Sequence, residues 1–180
     1  PSELEIVSGD GQTGEAGHVL RSPLVVRVLD RYGNPIAGLP VTFTVSSGGG
    51  KLIPDDLSPP MEELTVETDE NGEASARLIL GEEAGVLNEV IVTGQDVEGS
   101  VSFRATSTSS QPALIKVESG PESGIVGEIS STPLKVVVKD DHGNPTPGAT
   151  VRFSIFQGDG ALTKMPGGGL TSSVVVRSNS

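Results

Sequence analysis

Four groupings in this 180-residue sequence have residue types and spacings that could do chemistry. Gly9-Asp10-Gly11-Gln12-Thr13-Gly14 carries the G-x-G-x-x-G spacing, which between a strand and a helix lets backbone amides cradle a pyrophosphate. Gly48-Gly49-Gly50-Lys51 has the look of a phosphate loop, but Leu52 stands where that loop needs a magnesium-binding hydroxyl. His18 and His142 are the two imidazoles, and a hydrolytic triad would require one of them to meet a Ser and an acid in space. Ten acids (Asp55, Asp56, Glu62, Glu63, Glu67, Asp69, Glu70, Glu73, Glu82, Glu83) share the 55–83 stretch with one base, Arg77. Carboxylates gathered in loops suit a hard cation, and Asp69, Glu70 and Asn71 are the candidate calcium ligands. The turn they form lacks the spaced ligands of an EF-hand, so no cofactor is expected. A solvated acidic face for a protein partner, made of Asp55, Asp56, Glu62, Glu63, Glu67, Glu82 and Glu83, is the other reading.

Each grouping depends on the elements that carry it. After Gly14 comes Pro23 and an extended pattern, with no helix to complete a dinucleotide fold, so the glycine run reads as a turn. The apolar period is two throughout: Leu24, Val26 and Val28 alternate with outward residues, as do Val41, Phe43 and Val45. Leu4-Ile6, Leu64-Val66, Ala74-Ala76-Leu78-Leu80, Val90-Val92 and Val101-Phe103-Ala105 follow suit, about seven strands at sandwich spacing. Asn71-Gly72 between alternating segments is a hairpin signal. With 24 Gly and 13 Pro the chain is rich in turns, and no helical stretch stands out. The expected fold is all-β, two packed antiparallel sheets rather than a barrel.

The sequence repeats itself. A shift of 110 residues, without gaps, superposes Pro23-Leu24, Val26, Val28, Asp30 and Gly33-Asn34-Pro35 on Pro133-Leu134, Val136, Val138, Asp140 and Gly143-Asn144-Pro145. Gly38, Val41, Phe43, Gly48, Gly50 and Leu52 fall likewise on Gly148, Val151, Phe153, Gly158, Gly160 and Leu162. The expected organisation is a complete sandwich over 1–107, a linker over 108–112, and a partial second repeat over 113–180. Residues 71–107 have no counterpart in the second copy. It would lack the last strands, expose sheet edges, and call for another copy of the chain or a missing segment to cover them.

Composition removes several function classes. With no Cys there is no disulfide framework, thiol nucleophile or thiolate zinc site. The net charge of −12, from 24 acids against 12 bases, disfavours nucleic acid and anionic membrane, both of which reward clustered Lys and Arg. All of that imbalance lies in the first copy. No apolar run approaches the roughly 18 residues of a membrane helix; since Pro1 is not an initiator, any export signal or anchor is expected outside this stretch. Sugar platforms want exposed rings, and of five aromatics three face inward, leaving Tyr32 and Phe156. No Arg-Gly-Asp tripeptide is present.

The run Gly14-x-x-Gly17, Pro23-Leu24-x-Val26-x-Val28-x-Asp30-x-x-Gly33-Asn34-Pro35-x-x-Gly38-x-x-Val41-x-Phe43, then Gly48-x-Gly50-x-Leu52 and Thr68-Asp69-x-x-Gly72-x-Ala74, resembles the group-one bacterial immunoglobulin-like domain of invasin and intimin. The likeness covers the first copy and the second through Leu162. It implies tandem immunoglobulin-like sandwiches on an extracellular or cell-surface bacterial protein, used as a stalk that presents a terminal adhesion domain. It carries no catalytic residues, and no catalysis is expected. The alternatives are an accessory module of a secreted multidomain hydrolase and direct binding through the acidic face. The expected partners are flanking domains of the same polypeptide, a protein at the acidic face, or a second copy at the incomplete repeat.

Overall fold

In the computed structural model of the chain, residues 3–54 and 58–179 are described. They divide into two units, 1–109 and 110–180.

Among its described residues unit 1 has nine strands: β1 (Glu3–Ser8), β2 (Gln12–Glu15), β3 (Leu24–Leu29), β4 (Pro40–Ser47), β5 (Lys51–Ile53), β6 (Glu63–Glu67), β7 (Glu73–Ile79), β8 (Leu87–Gly94) and β9 (Val101–Thr108). They form two sheets, β1-β3-β7-β5 and β2-β9-β8-β4-β6. In chain order the first sheet is the A-B-E-D sheet of an immunoglobulin fold, and β4, β8 and β9 are its C, F and G strands. Alternation decides which side chains meet between the sheets, because successive Cβ atoms point to opposite faces. Leu24, Val26 and Val28 of β3 and Ala74, Ala76 and Leu78 of β7 are buried against Val41 and Phe43 of β4, Val90 and Val92 of β8, and Phe103 and Ala105 of β9. Ala74 and Ala76 of β7 share this core with Phe43 and Phe103, so small residues are combined with large ones.

Three sequence expectations change. The sandwich is not wholly antiparallel: β2 runs parallel to β9, Gln12 beside Ala105 through Glu15 beside Thr108. Its residues, Gln-Thr-Gly-Glu, have no apolar alternation, so backbone pairing alone defines the strand. The Asn71-Gly72 turn is not a hairpin between paired strands. β6 and β7 lie in different sheets, and among the described non-glycine residues positive φ occurs at Asp96, not Asn71. The third concerns the repeat. Glu3 pairs with Leu29 in unit 1 while Leu114 pairs with Lys139 in unit 2, so the first strands correspond at a shift of 111, one residue having been lost before Gly124.

Unit 2 contains β10 (Leu114–Ser119), β11 (Lys135–Lys139), β12 (Thr150–Ser154) and β13 (Ser173–Arg177). These are the equivalents of β1, β3, β4 and β6, paired as β10-β11 and β12-β13. Equivalents of β2, β5, β7, β8 and β9 are absent among the described residues.

Candidate functional site

The repeated Asp-x-x-Gly segments build one turn three times. In each, the Asp N–H donates to the carbonyl four residues on and the Gly N–H donates back to the Asp carbonyl: Asp30 with Asn34 and Gly33, Asp69 with Glu73 and Gly72, Asp140 with Asn144 and Gly143. The carboxylate fills the inside of the loop, since an aspartate oxygen reaches the amides two and four residues on. Asp30 Oδ1 accepts from the N–H groups of Tyr32 at 2.7 Å and Asn34 at 2.9 Å. Asp69 Oδ1 accepts from Asn71 at 2.8 Å and Glu73 at 2.9 Å. Asp140 Oδ1 accepts from His142 at 3.0 Å and Asn144 at 2.8 Å. In the two Gly-Asn-Pro copies the Asn side-chain amide donates to the second carboxylate oxygen, Oδ2 of Asp30 or of Asp140. Donation of this kind favours the ionised acid. The Asn34 side chain, then its backbone N–H, hold the Asp30 carboxyl below the usual carboxylate range. The Glu73 N–H does the same for Asp69. At Asp140 burial pushes upward, but the bonds from Asn144, Ser110 and His142 together outweigh it and the net shift is downward.

A hydroxyl, buried at Thr68 and half-buried at Ser178, fastens the segment after each Gly-Asn-Pro turn. Thr68 Oγ1 donates to the Ile36 carbonyl at 2.7 Å and accepts from the Leu39 N–H at 2.9 Å. In unit 2 Ser178 Oγ donates to Thr146 O at 2.6 Å and accepts from Ala149 N–H at 2.8 Å. The shift from 68 to 178 is 110, so the two clasps are equivalent. Sequence comparison passes over them because Thr and Ser do not score as identical, although the shared hydroxyl was there to be read.

The acidic residues separate. Asp55 and Asp56 lie outside the described residues. Glu63 and Glu67 stand on the outer side of β6, at its two ends. Glu62 precedes β6 and is ion-paired with Lys51, whose hydrogen bond lowers the Glu62 carboxyl. Glu73 belongs to the other sheet, where Arg27 bridges it to Glu5. Glu82 and Glu83 occupy the β7–β8 loop, at the same end of the sandwich as Glu62 and Glu63. Glu67, Asp69 and Glu70 are at the opposite end, as the pairing of Pro40 with Glu67 and of Thr44 with Glu63 requires. The stretch that reads as one acidic face is thus two groups at two ends. Of the candidate calcium ligands, Asp69 turns one carboxylate oxygen onto the backbone of its own turn.

The glycine run Gly9–Gly14 leads out of β1 into β2 and so carries the chain from one sheet to the other. Gly9, at φ +98°, lies where a Cβ would stand 2.2 Å from the Pro23 carbonyl oxygen. That close approach explains its glycine without any phosphate. The Gly48–Gly50 run packs at the β8 end of the sandwich, around Asn88. Asn88 is fully buried, and its Oδ1 accepts from the Gly81 N–H at 2.9 Å.

The histidines belong to different units. His18 Nδ1 lies 3.0 Å from the Ala16 carbonyl oxygen. His142 Nδ1 lies 2.9 Å from Asp141 Oδ1. One oxygen or nitrogen atom from each of Asp140, Asp141 and His142 fits within 4.8 Å of the others, a juxtaposition signalled in the sequence by the Asp-Asp-His run. Asp140 is committed to its turn, and Ser110 donates to both acids, through its N–H to Asp140 at 3.0 Å and its hydroxyl to Asp141 at 2.9 Å. The exposed aromatics Tyr32 and Phe156 also sit in separate units.

No family model matches the chain. Among solved structures, 97% of it is similar to 36% of invasin, described as a bacterial integrin-binding protein, at 21% identity and a TM-score of 0.45. Yersinia pseudotuberculosis InvD is similar over 98% of this chain and 52% of its own, at 17% identity and a TM-score of 0.47. Domains 4–9 of the surface layer protein SbsC are similar over 99% of this chain and 27% of theirs, at 13% identity and a TM-score of 0.41. The chain therefore spans about half or less of each protein it is compared with. At these scores the likenesses add no functional argument, and the fold rests on strand order. By that order unit 1 is an immunoglobulin-like β-sandwich, and unit 2 repeats its β1-β3 and β4-β6 pairings.

Proposed function

We propose that the chain is a non-catalytic spacer in a bacterial cell-surface or secreted protein, setting the reach of a binding domain carried on the same polypeptide. One observation carries this reading. In unit 1 the chain enters at Glu3, paired with Leu29 beside the Asp30 turn, and leaves at Thr108, which pairs with Glu15 at the other end. Entry and exit at opposite ends are what a module needs to be strung in series, and the repeated unit is the sequence mark of such an array. The Asp turns and hydroxyl clasps are spent on holding this frame, and they supply no group aimed at a substrate.

A direct test places the chain between a surface anchor and a reporter binding module on a cell. Replacing residues 3–108 with an unrelated sandwich whose ends are equally separated should preserve capture of the reporter's ligand, and deleting them should reduce it. The clustering of Glu62, Glu63, Glu82 and Glu83 at one end supports a second reading, adhesion to a basic protein surface, which salt would weaken. Specific binding of the isolated chain to host extract, abolished by changing those four to Gln, would establish that reading and overturn the spacer.

A further inference from the structure

The Asp-x-x-Gly turn occurs three times, but one copy is chemically unlike the others. In Gly33-Asn34-Pro35 and Gly143-Asn144-Pro145 the residue after asparagine is proline, which has no N–H to lose. In Asp69-Glu70-Asn71-Gly72 the asparagine is followed by glycine, and of the five asparagines in the chain Asn71 is the one so placed. A glycine nitrogen has no neighbouring Cβ to block its approach to the asparagine side chain. Asn71 is also exposed, while Asn88, which precedes Glu89, is fully buried.

The turn shows what restrains a reaction between these two groups. For the Gly72 nitrogen to reach Asn71 Cγ, the peptide between the residues must rotate. That peptide is held: the Gly72 N–H donates to the Asp69 carbonyl at 2.9 Å, and the Asn71 N–H donates to Asp69 Oδ1 at 2.8 Å. Asp69 Oδ1 takes the Glu73 N–H as well, at 2.9 Å, closing the loop on both sides of Gly72. Gly72 itself has no slack. Its carbonyl accepts from the Val28 N–H at 2.9 Å, and a Cβ on it would stand 2.7 Å from the Val28 carbonyl oxygen and 2.9 Å from Pro35 Cβ.

We propose that Asn71 is a self-modification site, gated by Asp69, at which the chain loses ammonia and takes up water. When the turn opens, the Gly72 nitrogen gives up its proton and bonds to Asn71 Cγ. The Cγ–Nδ2 bond breaks, ammonia leaves carrying an equivalent proton, and a succinimide ring remains. Water then opens the ring. Attack at Cγ gives aspartate in a normal chain; attack at the main-chain carbonyl carbon breaks its bond to the Gly72 nitrogen and gives isoaspartate, whose backbone is longer by a methylene. Water is the sole co-reactant. Both products add a carboxylate beside Asp69 and Glu70, but it is the longer backbone that displaces Gly72 from Val28, so the damage reaches β3, an inner strand of its sheet.

The test incubates the full chain in warm neutral buffer and reads the peptide carrying residue 71 by mass spectrometry, where amide-to-acid conversion is a mass gain. The guanidinium-unfolded chain sets the ungated rate. The folded chain is expected to react about tenfold more slowly or less, because the closed turn lowers the reactive population. Asp69→Ala should recover most of that factor, and Asp69→Ser, which keeps a weaker acceptor, should fall between; hydrogen exchange checks that each variant is folded. Gly81→Ala weakens unit 1 away from the turn and should stay with the parent. No mass gain at Asn71 in the unfolded chain would remove the site. Equal rates in folded and unfolded chains, no acceleration in either Asp69 variant, or the same acceleration in Gly81→Ala would overturn the gate. The isoaspartyl form, separated by chromatography, should exchange its Val28 amide about tenfold faster, while Asn71→Asp, with the charge but the normal backbone, should not. An unchanged Val28 amide in the isoaspartyl form would overturn the route to β3.

Discussion

Leu24 and Leu134 are equivalent positions of the repeat with different burial, and truncating each to Ala measures what that difference contributes. Leu24 is fully buried, so its truncation loses the transfer energy of the side chain and leaves a cavity that the tightly paired β3 and β7 cannot close. Such changes cost about 2–5 kcal/mol, and a site enclosed by two sheets falls near the middle, about 3 kcal/mol. Leu134 is 51% exposed. Half of a full burial worth about 1.5–3 kcal/mol is about 1 kcal/mol, with no dry cavity to add. At about 5 °C per kcal/mol for a domain of this size, Leu24→Ala should lower the unit 1 transition by about 15 °C. Leu134→Ala should lower that of unit 2 by about 5 °C. Hydrogen exchange against urea assigns each loss to its unit. Equal losses at the two positions would refute the account of Leu24 as enclosed and Leu134 as half-exposed.

Other perturbations separate the remaining elements. Gly81→Ala would bring a Cβ to 1.9 Å from the Gly48 carbonyl oxygen, and the backbone shift this forces should cost about 1–3 kcal/mol in urea denaturation. Thr68→Val keeps the shape of the side chain but leaves the Ile36 carbonyl and Leu39 N–H without their partner, a loss of about 1–3 kcal/mol; a neutral result would show that water replaces the clasp. The carboxyls of Asp30, Asp69 and Asp140 are held below the ordinary aspartate value of about 3.9. Their contribution is therefore fully present above that value and is lost as pH falls through the folded-state values. Urea midpoints should drop on acidification below about pH 4, and Asp69→Asn should show a smaller drop than the parent.

The strands with apolar alternation were legible in the sequence because burial on one face is what writes the pattern. Val26, Phe43 and Val92 could hardly be placed elsewhere. β2 was not legible, since Gln12–Glu15 is held by backbone pairing to β9 and by a glycine that lets the chain change sheets. Asn71-Gly72 misled for a related reason. The local turn is real, but whether the strands it joins pair with each other is decided by the whole sheet order, which no four-residue window contains. The acidic stretch reads as one face only if neighbours in sequence are neighbours in space. In a sandwich, seven residues along a strand and around a turn reach the other end or the other sheet. The Asp turns were visible as a repeat before their chemistry was, the motif giving the position and the structure giving the two amides each carboxylate holds.

The parallel pairing of β2 with β9 has a mechanical meaning. Tension applied at Glu3 and drawn out beyond Thr108 pulls these two strands in opposite directions along their length, so the rungs from Gln12 with Ala105 to Glu15 with Thr108 are strained together instead of one after another. A zipper opened from its end yields at the strength of a single bond, whereas a lap joint yields only when all its bonds give way at once. The four-residue strand that has no hydrophobic pattern is the lap joint of unit 1, and it is placed where a hauled chain would need one.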